Sequence, residues 1–280
     1  MASNWFDNGR LHSRLPHPVY DGSNLSASDG GELYWGLNLR NIPMTSKRDK
    51  LRENLAQVRE RIARAAEAAG RAAESVRLVA VTKQVGTELA GELVELGVSE
   101  LGESRPQELW QKAQTMNRPV RWHLVGPLQR NKARRTLPLV SLIHSVDSLS
   151  LLRWLDELAE QQGLQPAVLL EVNVSGEASK HGFGPDEARR AAEVVGQLKR
   201  LRVCGLMTMA PFDPDPEHAR PTFAGMRELR DQLQSIAPPN CPLTELSMGM
   251  SGDFEVAIAE GATIVRIGSA LFQGIEGVAQ

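Results

Sequence analysis

The sequence predicts a single-domain α/β protein, a (β/α)8 TIM barrel with one additional N-terminal helix. Three observations predict it. Eight short apolar, β-rich runs recur along the chain, and helix-length stretches separate them. The eight units fit into about 200 residues, which favours a closed barrel of parallel strands joined by crossovers over an open doubly wound sheet. No Gly-x-Gly-x-x-Gly follows the first run, which argues against a dinucleotide fold.

Taken in order, residues 1–45 are rich in Asn, Asp, Gly and Ser, lack periodicity and scatter Trp5, Phe6, Tyr20, Tyr34 and Trp35. They read as an irregular extension without an assigned function: an interaction tail, a poorly packed leader, or a stretch ahead of a true start at Met44. Ser46 with Asp49 resembles a capping box. Leu51, Leu55, Val58, Ile62 and Ala65 then recur at helical spacing until Gly70, so a long amphipathic helix opens the barrel domain, 46–280. The predicted strands are LVAV (78–81), SELG near 99, WHLVG from 122, SLIHS from 141, VLLEVNV from 168, VCGLM from 203, LTELS from 243 and TIVRIG from 263. Predicted helices cover 89–96, 107–116, 149–162, 186–199, 220–236 and 254–260.

Composition narrows the partners. With 32 Lys and Arg against 34 Asp and Glu, the formal charge is −2, so no global field recruits nucleic acid or an anionic membrane. The ligand is expected to be small. Cys204 and Cys241 lie outside any metal-ligand spacing and make no disulfide framework, which fits a reducing cytoplasm. No apolar run of about 18 residues and no secretory pattern occur, so a cytoplasmic protein is expected.

Active groups of such barrels stand at strand C-terminal ends. Alternation puts Val79, Val81 and Lys83 on one face, so Lys83 points into the mouth if the valines fill the barrel. A partly desolvated lysine there is a nucleophile toward an aldehyde; the plainer reading is a surface lysine. After the seventh run stands Ser247-Met248-Gly249-Met250-Ser251-Gly252-Asp253, and after the eighth Arg266-Ile267-Gly268-Ser269. Loops seven and eight commonly bind phosphate in these barrels, with glycines admitting the backbone and Ser251 or Ser269 donating hydroxyls while capping the next helices; ordinary caps and turns are the alternative. Arg266 shares the face of Ile264 and needs a partner, either Glu171 or an acceptor on a ligand ring. His123, Asn131, Lys132, His144, Ser145, Asp147, Asn173, Ser175 and Met207 complete the strand-end set. For His123 the competing role is core packing, as for Met207, and Asp147-Ser148 reads as a helix cap. Lys180 sits in a polar loop. No metal-binding set is seen.

The ordered motifs AVTK (80–83), WHLVGPLQRNK (122–132), HSVD (144–147), NVSGEASKHG (173–182), GLMTM (205–209) and LSMGMSGDFEVAIAEGATIVRIGSALF (246–272) resemble the pyridoxal phosphate homeostasis protein family, also called the proline synthase co-transcribed homologue family. The resemblance covers 46–274. It implies a fold similar to the N-terminal barrel of alanine racemase and a pyridoxal 5'-phosphate (PLP) cofactor held as a Schiff base on Lys83. Ser251, Gly268 and Ser269 are then implied as phosphate contacts and Arg266 as the partner of the pyridine nitrogen. With His123, Asn173, Met207, Ser247 and Met250 these make the expected cofactor-binding set. The implied role is intracellular PLP homeostasis, buffering or delivery, without catalytic residues of its own, in a monomer or weak dimer that hands PLP to apo-enzymes.

The alternative is a PLP-dependent racemase-like enzyme. In the resembling racemases an acid or base comes from a partner's C-terminal β-domain, and this sequence stops just past the eighth run. A third reading has another phosphorylated ligand and an unmodified Lys83. One departure stands out: where the family has Gly-Glu-Asn-Tyr, this chain has Gly102-Glu103-Ser104-Arg105, so a charge is expected near the mouth.

Overall fold

The structure, a computed structural model, describes residues 46–177, 181–238 and 241–278. The expected leader over 1–45 lies outside these residues, as does Lys180. Strands β1 (Arg77–Val81), β2 (Glu100–Glu103), β3 (Arg121–Leu124), β4 (Val140–Val146), β5 (Ala167–Glu171), β6 (Arg202–Met207), β7 (Glu245–Ser247) and β8 (Ile264–Ile267) close into a barrel in sequence order. Every neighbouring pair is parallel, and Arg77 through Ala80 of β1 pair with Ile264 through Ile267 of β8.

Helices α1 (Lys47–Ala68), α2 (Thr87–Glu95), α3 (Pro106–Thr115), α4 (Arg130–Thr136), α5 (Leu149–Gln162), α6 (Pro185–Val195), α7 (Arg220–Gln234), α8 (Phe254–Ala259) and α9 (Ser269–Phe272) connect and surround the strands. At the start of α1, Ser46 Oγ accepts the Asp49 N–H at 3.1 Å, as the capping pattern predicts. The helix buries Leu51, Leu55, Val58 and Ile62 and packs on α8 and α9; Ala66 is buried in place of the expected Ala65, which is only partly covered. The Asn54 amide donates to the carbonyls of Leu271 (3.0 Å) and Gln273 (2.9 Å), tying α1 to the end of α9.

Two layers of apolar packing result. Between strands and helices lies the main core, and inside the barrel Val79, Leu142, Ala167, Leu169, Cys204, Met207 and Ile264 form a separate cluster. Helix α4 was not foreseen, because Arg-Asn-Lys-Ala-Arg-Arg-Thr has no apolar periodicity and buries only Ala133 and Thr136. Asn131 and Lys132 therefore lie on a helix rather than at a strand end. The helix expected over 186–199 stops earlier, at Val195, with Gly196 as its C-cap.

Candidate functional site

The alternation expected of β1 holds. Val79 is fully buried inside the barrel, Val81 lines a cavity at the C-terminal mouth, and Lys83 reaches the same cavity. Lys83 is exposed rather than partly desolvated, because it lies beyond the last residue of β1, in the turn that leaves the barrel. That turn is held from behind. Thr82 points into the wall, its Oγ1 donating to Glu103 Oε1 at 2.5 Å, while Lys112 Nζ from α3 donates to the same carboxylate oxygen at 2.5 Å and to the Thr82 carbonyl at 2.8 Å. Glu103 is fully buried and its Oε2 has no hydrogen-bond partner among the described residues. Burial pushes its carboxyl above the ordinary value, although the hydrogen bonds from Lys112 and Thr82 oppose it.

The cavity has a volume of about 530 Å³, within the range of about 300–1,000 Å³ typical of small-ligand sites. Beside β1, its wall is built by the loops after β7 and β8. Gly249 has φ +92° and a Cβ there would lie 2.6 Å from the Ala257 Cβ, so only glycine carries the chain around this corner. The turn places Ser251 so that its Oγ accepts the N–H groups of Gly268 (3.3 Å) and Ala270 (3.2 Å). Ser251 thus caps the helix after β8; its own helix, α8, begins at Asp253, whose Oδ1 accepts the Met250 N–H at 2.6 Å. Ser269 is exposed at the first position of α9 and, with Gly268, lines the cavity. At Gly268 a Cβ would sit 3.3 Å from the Val81 carbonyl oxygen, so glycine allows β1 and the loop to approach closely.

Arg266 closes the floor. It is buried, and its NH1 donates to Ser247 Oγ at 2.6 Å and its NH2 to the Thr208 carbonyl at 3.0 Å. It makes no hydrogen bond to Glu171, whose charge nonetheless acts on it. Burial pulls Arg266 down to about 10, against the charges of Asp253 and Glu171, so it stays a cation at neutral pH. Glu171 also lines the cavity, and burial together with Asp147 raises its carboxyl, against Arg266 and His181.

Of the expected cofactor-binding set, Lys83, Met250, Ser251, Arg266, Gly268 and Ser269 meet at this one cavity, and His123, Asn173, Met207 and Ser247 do not line it. Met207 is fully buried in the barrel cluster. Asn173 organises its own loop, donating to the Glu177 carbonyl and accepting from Gly176 N and Ser175 Oγ. Ser247 supports Arg266 from below. His123 is fully buried, its Nδ1 2.8 Å from His144 Nε2 and its Nε2 2.5 Å from Glu100 Oε2, and His144 Nδ1 lies 2.8 Å from Ser247 Oγ. Glu100, at the opposite end of the barrel, carried no sequence signal, since it opens a strand instead of ending one. As read from the sequence, Ser148 caps α5, accepting from Leu151 N.

Arg105, expected to bring a charge to the mouth, lines a neighbouring recess with Lys132 and pairs with Glu108 at 3.5 Å. As the residue before α3 it follows that helix outward. Both cysteines are free and buried, and burial pushes Cys241 up to about 12. No helix among the described residues is long and apolar enough to cross a membrane.

Comparison with known proteins agrees with this architecture. Residues 48–275 match the family model described as alanine racemase, N-terminal domain. A pyridoxal phosphate homeostasis protein of Pseudomonas aeruginosa is 44% identical over 226 residues, covering 79% of this chain and 94% of the relative. One from Aquifex aeolicus is 42% identical over 197 residues, 70% of this chain and 86% of the relative. The solved structure of PipY from Synechococcus elongatus with PLP bound superposes with a TM-score of 0.70 at 36% identity, over 79% of this chain and 99% of that one. With its barrel closed in the same order and its chain matched over nearly the whole length of these relatives, the protein belongs to the pyridoxal phosphate homeostasis protein family, built on the alanine racemase N-terminal domain fold.

Proposed function

We propose that the barrel domain, 46–280, binds PLP with its aldehyde carbon bonded to Lys83 Nζ and serves intracellular PLP homeostasis as a carrier, in the cytoplasm and as a monomer or weak dimer. The observation that carries this is the convergence on one cavity of an amine, an anion corner and a buried cation. When bound, the cofactor supplies an electrophilic carbonyl, a phosphate and a ring nitrogen. Lys83 offers the amine for the first. The second fits the Ser251 hydroxyl with the Gly268 and Ala270 N–H groups that already converge on an oxygen. For the third, Arg266 offers an N–H it does not give up, which leaves the nitrogen unprotonated and the ring a weak electron sink.

A muted electron sink suits storage better than turnover. So does exposure, since Lys83, Met250 and Phe212, which is 97% exposed, all stand at the mouth. A cofactor anchored there meets solvent and a recipient apo-enzyme directly. The names and the PLP-bound structure of the relatives support the same reading.

The test is the absorption spectrum of the purified protein with added PLP, wild type beside Lys83→Ala, before and after borohydride. A near-visible band in the wild type alone, fixed by reduction and mapped to Lys83 by peptide mass, is expected. Identical spectra would remove Lys83 as the anchor. A third outcome, binding of PLP phosphate without any covalent mass, would leave a phosphate-ligand site and refute the carrier chemistry.

A further inference from the structure

The barrel interior holds a polar chain that crosses the apolar cluster from one end to the other: Arg266, Ser247, His144, His123 and Glu100, on β8, β7, β4, β3 and β2. Both histidines are fully buried, as is Ser247, while the Glu100 side chain is 15% exposed at the N-terminal end, beside Arg121 at 3.1 Å. Each link shares one proton, so the directions of the links are coupled.

The two ends fix them. Arg266 only donates, so Ser247 Oγ accepts. At the other end, burial works against the charge of Glu100, but the hydrogen bond from His123 and the charges of Arg121 and Arg77 hold its carboxyl below the ordinary value; the carboxylate only accepts, so His123 carries a proton on Nε2. Burial, then the charges of Arg266 and Arg77, pull His144 well below the ordinary imidazole value, so it is neutral with a single N–H. If that proton sat on Nδ1, Ser247 would accept twice and its own hydroxyl proton would have no acceptor among the hydrogen bonds of the described residues. With it on Nε2, every link is satisfied: Arg266 donates to Ser247, Ser247 to His144 Nδ1, His144 to His123 Nδ1, and His123 to Glu100.

We propose that Glu100, His123 and His144 are positioning residues for Arg266, a one-directional hydrogen-bond relay that fixes the Ser247 oxygen and so aims the guanidinium at the ligand ring from the far end of the barrel. This rests on the cofactor reading above for what Arg266 meets, but not for the relay itself. The relay explains why two buried histidines occupy the lumen of a barrel whose binding cavity neither of them lines.

The experiment begins on cofactor-free protein, near neutral pH. Long-range ¹⁵N–¹H NMR of ¹⁵N-histidine-labelled wild type is expected to show His123 and His144 as neutral Nε2–H tautomers, and the Arg266 guanidinium protons as slowly exchanging. Glu100→Gln removes the charged acceptor and is expected to speed that exchange several-fold. Titrating PLP into the same two proteins is expected to show a Kd raised roughly 3- to 10-fold in Glu100→Gln, the size of one net hydrogen bond, with a shifted absorption band. A doubly protonated His123, or His144 protonated on Nδ1, overturns the relay. Unchanged guanidinium exchange in Glu100→Gln overturns the positioning role even if the tautomers are as expected. If wild type itself fails to take up PLP, the cofactor reading falls, while exchange and tautomers still decide the relay.

Discussion

Lys112→Met removes an ammonium from inside the wall of the barrel while keeping most of the side chain's apolar stem. Glu103 then keeps only the Thr82 hydroxyl as a donor, with Oε2 already unpartnered and the residue fully buried. Breaking a buried ion pair by deleting one partner costs about 3–5 kcal/mol, and because the Glu103 carboxyl can take up a proton in place of the lost ammonium, the cost falls at about 3 kcal/mol. For a domain of this size about 2–4 °C of melting temperature goes with each kcal/mol, so Tm is expected to fall by about 6–12 °C. The pH dependence has a definite sign. An acid whose folded value is raised contributes stability that is present below its unfolded value near 4.5 and is lost as pH rises through the folded value. Removing Lys112 raises that value further, so the deficit is largest at neutral pH and shrinks toward mildly acidic pH. Equilibrium urea unfolding followed by circular dichroism, at neutral and mildly acidic pH, measures both effects. Glu103→Gln combined with Lys112→Met should recover most of the loss. A single-variant cost below about 1 kcal/mol, or a deficit that the double variant leaves in place, would refute the argument.

Three further outcomes are expected. Asp156 accepts the N–H groups of Lys199, Arg200 and Leu201 at 3.0, 2.8 and 2.9 Å, so Asp156→Ala, which strands three donors, should cost about 2–4 kcal/mol in urea unfolding. Gly249→Ala forces a Cβ against Ala257 at positive φ and is expected to destabilise by about 2–4 kcal/mol and to weaken PLP binding, measured by cofactor absorbance, because the displaced turn carries Ser251. Asn54→Ala, distant in sequence from the cavity, should cost about 1–2 kcal/mol, read as a lowered urea midpoint.

The barrel was legible because β1, β4, β5, β6 and β8 read as runs rich in leucine and β-branched residues, while β2, β3 and β7 are shorter and more polar but still overlap the runs read from the sequence. Helix α4 was hidden for the opposite reason, since a cationic segment that buries only an alanine and a threonine has no apolar stripe. Within the site, period-2 alternation located Lys83 and Arg266, and the glycine and serine pattern located the corner around Ser251 and Gly268. What sequence could not give is the partner of each polar group. His123 and Ser247 stand near strand ends like true cavity residues, yet they face the lumen across from residues 21 and 19 positions away. Glu103, Thr82 and Lys112 come together only because α3 folds back over the end of β1.

The brace between Asn54 and the Leu271 carbonyl spans 217 residues, and it sets a clock on synthesis. The apolar face of α1 leaves the ribosome well before its platform on α8 and α9 is made. At roughly 5–20 residues per second the helix waits on the order of 10–45 s for its partner, with Leu51, Leu55 and Val58 uncovered. The same closing event brings β8 to β1 and completes the corner that includes Ser269. A nascent chain therefore lacks this wall of the cavity until α9 is in place.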